Sequence, residues 1–129
     1  MTNLRPSPVL VVDAANVIGS RPNGWWRDRA GAARAFVECV RAAADAGSLV
    51  GSVVVVLEGQ ARVGAEEGTS GAVEVVHAPA SGDDAIVALA VTHGARATVV
   101  TADRALGDRV RGAGATVVGP TWLLDRLPQ

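Results

Sequence analysis

Four of the thirteen acids in this 129-residue chain stand where α/β proteins do chemistry. Asp13 follows the apolar run Val9 to Val12, Glu58 follows Ser52 to Leu57, and Asp103 follows Ala97 to Thr101. Asp83 lies at the start of a helical stretch that opens at Ser81. Short unbroken runs of β-branched residues suit strands buried on both faces. Ligands of open α/β sheets bind outside the carboxyl ends of such strands. Right-handed crossovers would bring all four acids to that one edge. Gathered carboxylates repel one another unless a cation neutralises them, and hard oxygen donors suit Mg²⁺ or Mn²⁺. One or two such ions polarise a phosphate oxygen, activate a water and stabilise the leaving oxygen, which is how metal nucleases cleave phosphodiesters. Taken singly, each acid has a structural reading as well, because Asp and Glu cap helices and end strands.

The elements that must position these acids alternate along the chain. After the first strand comes a turn-rich loop, GSRPNGWWRDR. Ala33, Phe36, Val37, Val40 and Ala44 then recur at helical spacing from about Arg29 to Ala46, and Gly47 is a suitable stop. Gly59 to Gly71 is polar and glycine-bearing and reads as a loop with at most one helical turn. Ala72 to His77 is a strand, and a helix follows to about His93 with Ser81 as its N-cap and Asp83 and Asp84 in its first turn. A further strand over 97–101, a helix from Arg104 to Gly112, a strand over 115–118 and a short terminal helix over 121–127 complete the pattern. This alternation predicts a three-layer α/β/α sandwich of the Rossmann-like kind, around a mainly parallel five-stranded sheet.

The bulk properties bound the partners. At this length residues 1–129 form one domain with a single sizeable core. The net charge of -1 marks neither a disordered chain nor a basic nucleic-acid coat. All twelve basic residues are Arg, which fits both a GC-rich genome and bidentate phosphate contacts. The single Cys39 excludes an intramolecular disulfide and reads as a core thiol. The first residues, MTNLRPSP, lack the apolar stretch of a secretory leader, and no apolar run is long enough to span a membrane, so a cytoplasmic location is expected.

Three stretches resemble motifs of the NYN ribonucleases, a branch of the PIN-like nuclease superfamily. VVDAANVIGS, with Asp13 and Asn16, resembles the first. SGDDAIVAL, with Asp83 and Ile86, resembles the second, and VVTADRAL, with Thr101 and Asp103, resembles the strand that ends in Thr before an Asp. The motifs stand in the family's order and cover nearly the whole chain. The resemblance implies a PIN-like fold in which Asp13, Asp83 and Asp103 hold the metal and Asn16 orients a ligand or the scissile phosphate. Glu58 matches a position where relatives more often carry Asp, and Asp84 and Asp108 are candidates for outer contacts to the site. Asp108 falls one helical turn after Arg104, so a surface ion pair is its simpler reading.

Trp25 and Trp26 stand among Arg21, Arg27 and Arg29. Aromatic rings interleaved with guanidinium groups suit single-stranded or structured RNA, where rings stack on bases and charges meet phosphates. Adjacent Trp cannot point the same way along an extended segment, so one is expected buried and the other available. Arg104 is a further phosphate candidate, and Ser20, Ser81 and Thr101 have hydroxyls suited to phosphate or water. His77 and His93 show no spacing that suggests a nucleophilic triad. The terminal segment of Trp122, Leu123, Leu124 and Leu127 packs on the core or, in a homodimer, on a second subunit. Three functions remain open: a metal-dependent endoribonuclease of single-stranded RNA, a nucleotide phosphohydrolase using the same ions, and a non-catalytic RNA or nucleotide binding module.

Overall fold

A computed structural model describes residues 7–128. The reading of the N-terminus as lacking a leader concerns residues 1–6, which lie outside the described residues. Five parallel strands stand where the apolar runs predict them: β1 (Val9–Asp13), β2 (Ser52–Leu57), β4 (Val73–His77), β5 (Ala97–Val100) and β6 (Thr116–Val118). The sheet has six strands rather than five. The additional β3 (Gly68–Ser70) pairs antiparallel with β4 inside the segment read as a loop. Its three residues, Gly-Thr-Ser, are all exposed, so it carries no alternating pattern, and its place comes from backbone pairing alone.

The strand order is β3-β4-β2-β1-β5-β6. From β1 the chain crosses first to β2 on one side and later returns to β5 on the other. The seam between β1 and β5 is therefore the topological switch point, where doubly wound sheets leave a crevice for ligands.

Helices cover both faces. Leu10, Val12, Val53 and Val55 point to the core under α1 (Ala14–Gly19), α2 (Arg29–Asp45) and α5 (Pro120–Leu124), where Phe36, Val37, Val40 and Leu123 meet them. Val9, Val11, Val54, Val56 and Val99 point the other way, to Ile86 and Ala90 of α3 (Gly82–His93) and to Leu106 and Val110 of α4 (Arg104–Gly112). Strand side chains alternate between faces. Asp13, Glu58 and Thr101, each two residues past Val11, Val56 and Val99, thus share the α3 and α4 side of the sheet edge. Leu123 and Leu127 are buried in the first core with Trp122 and Leu124 packed against it, and Cys39 is only partly buried at its border. Among the described residues no helix is long and apolar enough to cross a membrane.

One further element differs from expectation, and the helical turn that the segment after β2 admits is present. The residues just after Asp13 coil into α1 instead of entering a loop directly, because the Asp13 carboxylate accepts the Asn16 N–H and caps that short helix. The turn over Gly59–Gly64 is a 3₁₀ helix packed closely on α2. A Cβ at Gly64 would lie 2.2 Å from the Ala30 carbonyl oxygen and 2.9 Å from Ala33 Cβ. Glycine is required there by this close approach to backbone that cannot yield. Gly64→Ala should lower stability by about 1–3 kcal/mol, the usual scale of overpacking, read as a lower urea midpoint; an unchanged midpoint would refute this packing.

Candidate active site

Asp13 is the last residue of β1 and is only 6% exposed. Val12 pairs with Val100 across the β1–β5 seam, so the next residues, Asp13 and Thr101, stand side by side. Thr101 Oγ1 donates to Asp13 Oδ2 at 2.9 Å, and the Asn16 N–H donates to Oδ1 at 3.3 Å. The same Thr101 hydroxyl accepts the Asp103 N–H at 3.1 Å, while Asn16 Oδ1 accepts the Ala102 N–H at 2.7 Å. Three side chains and three backbone amides thereby lock the end of β1, the start of α1 and the β5–α4 connection together. The Asp103 carboxylate turns to its own helix, where Oδ1 accepts the Leu106 N–H at 3.0 Å and caps α4.

Burial pushes the Asp13 carboxyl above the ordinary carboxylate range; the Thr101 and Asn16 hydrogen bonds pull it back, and the charges of Asp83 and Glu58 push it up again. Those two acids thus face Asp13 electrostatically, Asp83 from the first turn of α3 and Glu58 from the end of β2. Glu58 Oε2 accepts the Gly82 N–H at 3.0 Å. That contact replaces the expected Ser81 cap, since Ser81 makes no side-chain capping bond. Among the described residues, no three His, Cys, Asp or Glu side chains meet closely enough to hold one ion as they stand. The four acids share one edge without converging on one point.

The remaining candidates are dispersed. Asp84 pairs with Arg109 of α4 at 3.0 Å, and Asp108 pairs with Arg111 at 3.5 Å rather than with Arg104; all four side chains are largely in solvent. Arg104 is exposed beside Asp103, and the Ser20 hydroxyl donates to the Val17 carbonyl at 2.6 Å. Trp26 is 52% exposed, whereas Trp25 is partly buried; the rings meet edge to face at 6.1 Å. Arg29 lies over the Trp25 ring at 5.1 Å and Arg27 over Trp26 at 5.7 Å. Trp25 and Arg29 wall a cleft of about 310 Å³ whose other side is formed by Ala15, Ile18, Glu58 and Ala61. Arg21 opens on a different hollow, with Phe36, Cys39 and Leu124. His77 Nε2 faces the Ala65 carbonyl at 2.7 Å, and His93 Nδ1 meets Arg96 at 3.0 Å.

Sequence reasoning missed Gly82, Ala102, Ala15 and Ile18. The last two had a signal, because an Asp followed three residues later by Asn is a helix start, and i, i+3 spacing then puts Ala15 and Ile18 on one face of α1. Gly82 and Ala102 act through backbone amides and carry no side-chain signal.

Fold and edge together define a Rossmann-like α/β/α sandwich with acids gathered about its switch point. No family model matches the chain, and no curated protein matches it. Among solved structures it is similar to the crystal structure of a mutant of Rae1 (YacP) from Bacillus subtilis, with a TM-score of 0.62 and 23% identity, over 92% of this chain and 73% of that one. This likeness concerns the fold.

The raised carboxyl of Asp13 has a consequence for stability. The folded chain holds this proton more tightly than the unfolded chain, so its contribution is present at low pH and is lost as pH rises through the raised value. Asp13→Asn removes that loss. The stability difference between the two proteins should therefore move in favour of the variant as pH rises above about 4, the ordinary value for Asp. Urea midpoints across this range test it, and a difference that is constant or moves toward the parent chain would contradict it.

Proposed function

We propose that this chain is a PIN-like, metal-dependent endoribonuclease acting on single-stranded RNA. The observation that carries the reading is the buried Asp13 carboxyl at the switch point, pushed up further by Asp83 and Glu58. Among the described residues the ion pairs are Arg109 with Asp84 and Arg111 with Asp108, so no arginine neutralises these three acids. An all-oxygen donor set with surplus negative charge fits Mg²⁺ or Mn²⁺. Asp13 and Asp83 would hold the ion, with Glu58 and Asp103 as the further donors on that edge. Such an ion supplies Lewis acidity to a phosphoryl oxygen and to a water.

The chain's own groups do the positioning. Thr101 fixes the Asp13 carboxylate by its hydroxyl, and Glu58 anchors the first turn of α3, which carries Asp83. Asn16 uses its side-chain oxygen on Ala102, which leaves its amide nitrogen as the donor for a phosphate oxygen. The NYN-like motifs around Asp13, Asp83 and Asp103 support the same reading, and Trp25 with Arg29 supplies a stacking wall beside the acids for an unpaired base.

One observation favours a second reading, that of a binding module of the same fold without turnover: Asp103 caps α4 and no three acids meet. Cleavage of a single-stranded RNA oligomer in Mn²⁺ separates the two. Asp13→Asn and Asp83→Asn should each slow cleavage by at least about 100-fold, the scale of removing one group that stabilises transition-state charge, and chelation should abolish it. Unchanged rates in both variants would sink the nuclease reading, and binding without any metal-dependent turnover would favour the second.

A further inference from the structure

We infer that the RNA strand leaves the acid edge along the connection between β2 and β4, with one base against Trp25, the following phosphates on Arg29 and Arg62, and a ribose beside His77. This rests on the RNA-cleaving reading above. Two hollows share Arg29 and Gly59 as lining residues and so adjoin one another, and the proposed channel runs through both. The inner hollow, of about 310 Å³, is lined by Trp25 with Arg29 over its ring, by Ala15, Ile18 and Ala61, and by Glu58, and is of a size for a single base. The outer hollow, of about 630 Å³, is lined by Arg29, Gln60, Arg62, Val63 and His77 and suits a phosphate backbone. Stacking near the reacting edge and cations beyond it is the arrangement that unpaired strands require.

The cations are placed rather than merely exposed. Arg62 donates from Nε to the Gly59 carbonyl at 3.1 Å and from a terminal nitrogen to the Ala78 carbonyl at 3.5 Å, which holds its head at the channel. A carbonyl can only accept, so His77 Nε2 carries the hydrogen toward Ala65, and in the neutral ring Nδ1 is then an acceptor, suited to a ribose hydroxyl rather than to a phosphate. The acids along the route are Glu58 at the inner end and Glu67, which accepts the His77 N–H. The other cations of the first loop lie off this route: Arg21 lines a separate hollow with Phe36 and Cys39 that has only Ile18 in common with the inner one, and Arg27 stands over the exposed Trp26.

The test uses fluorescence anisotropy with a labelled single-stranded RNA oligomer on the Asp13→Asn chain, in which cleavage is expected to be slow enough for binding to be read. Arg62→Ala should weaken binding about fivefold and make the log K against log salt dependence shallower by about 0.7, the signature of one lost phosphate contact on a single strand. Arg21→Ala should leave both unchanged. Because Arg62 also bonds two carbonyls, Gln60→Glu provides a second variant that places a negative charge in the channel without touching them; it should weaken binding as well. Binding insensitive to Arg62→Ala and Gln60→Glu, or a larger loss with Arg21→Ala, overturns the path while leaving metal-dependent cleavage standing. A parent chain that neither binds nor cleaves RNA overturns both.

Discussion

The buried hydrogen bond from Thr101 to Asp13 is the constraint on which the rest of this edge depends. A carboxyl with almost no access to water is stable only when its oxygens find donors. The donors that Asp13 finds come from two places far apart in sequence, the end of β5 and the first turn of α1. Meeting both demands forces β1 and β5 into register to their last residues, seats α1 directly after the strand, and ties the Asp103 amide to the same hydroxyl. Desolvation and two neighbouring acids still leave the carboxyl pushed upward, which is an unfavourable arrangement for folding alone. Perturbed groups of this kind concentrate where a protein binds or reacts.

The same edge explains why one loop matters and its neighbours do not. Gly64 lets the 59–64 turn press on α2, and that contact holds Gly59, Ala61 and Arg62 beside the Trp25 and Arg29 pair that precedes and opens α2. The channel is thus assembled by the packing of the β2–β4 connection on one helix. Trp26, one residue from Trp25, turns to solvent. Adjacent aromatic residues in a tight turn diverge, and only one of them reaches the acids.

Much of this was legible from residue types. The runs at Val9, Ser52 and Ala97 marked buried strands, and the acids after them marked the edge, because unbroken β-branched segments have few other stable environments. Face parity was legible too: Asp13, Glu58 and Thr101 share a side by simple alternation. What escaped was non-local or side-chain-free. β3 exists through backbone pairing of Gly68–Ser70, and the α3 cap comes from Glu58, 24 residues upstream, rather than from the adjacent Ser81. Asp84 looks like the other acids in sequence, yet it finds Arg109 across the α3–α4 surface, a pairing set by how those helices pack, whereas Asp108 meets Arg111 one turn on within α4.

The central claim is that the acids around Asp13 form one divalent-cation site. A crystal soaked in Mn²⁺ and measured for anomalous scattering tests it without reference to any substrate. The account predicts a peak at the β1–β5 seam, within about 2.0–2.3 Å of carboxylate oxygens from Asp13 and Asp83, the ordinary range for small hard cations. Saturating Mn²⁺ with no peak there, or with ions confined to exposed acids such as Asp84 and Asp108, would contradict it.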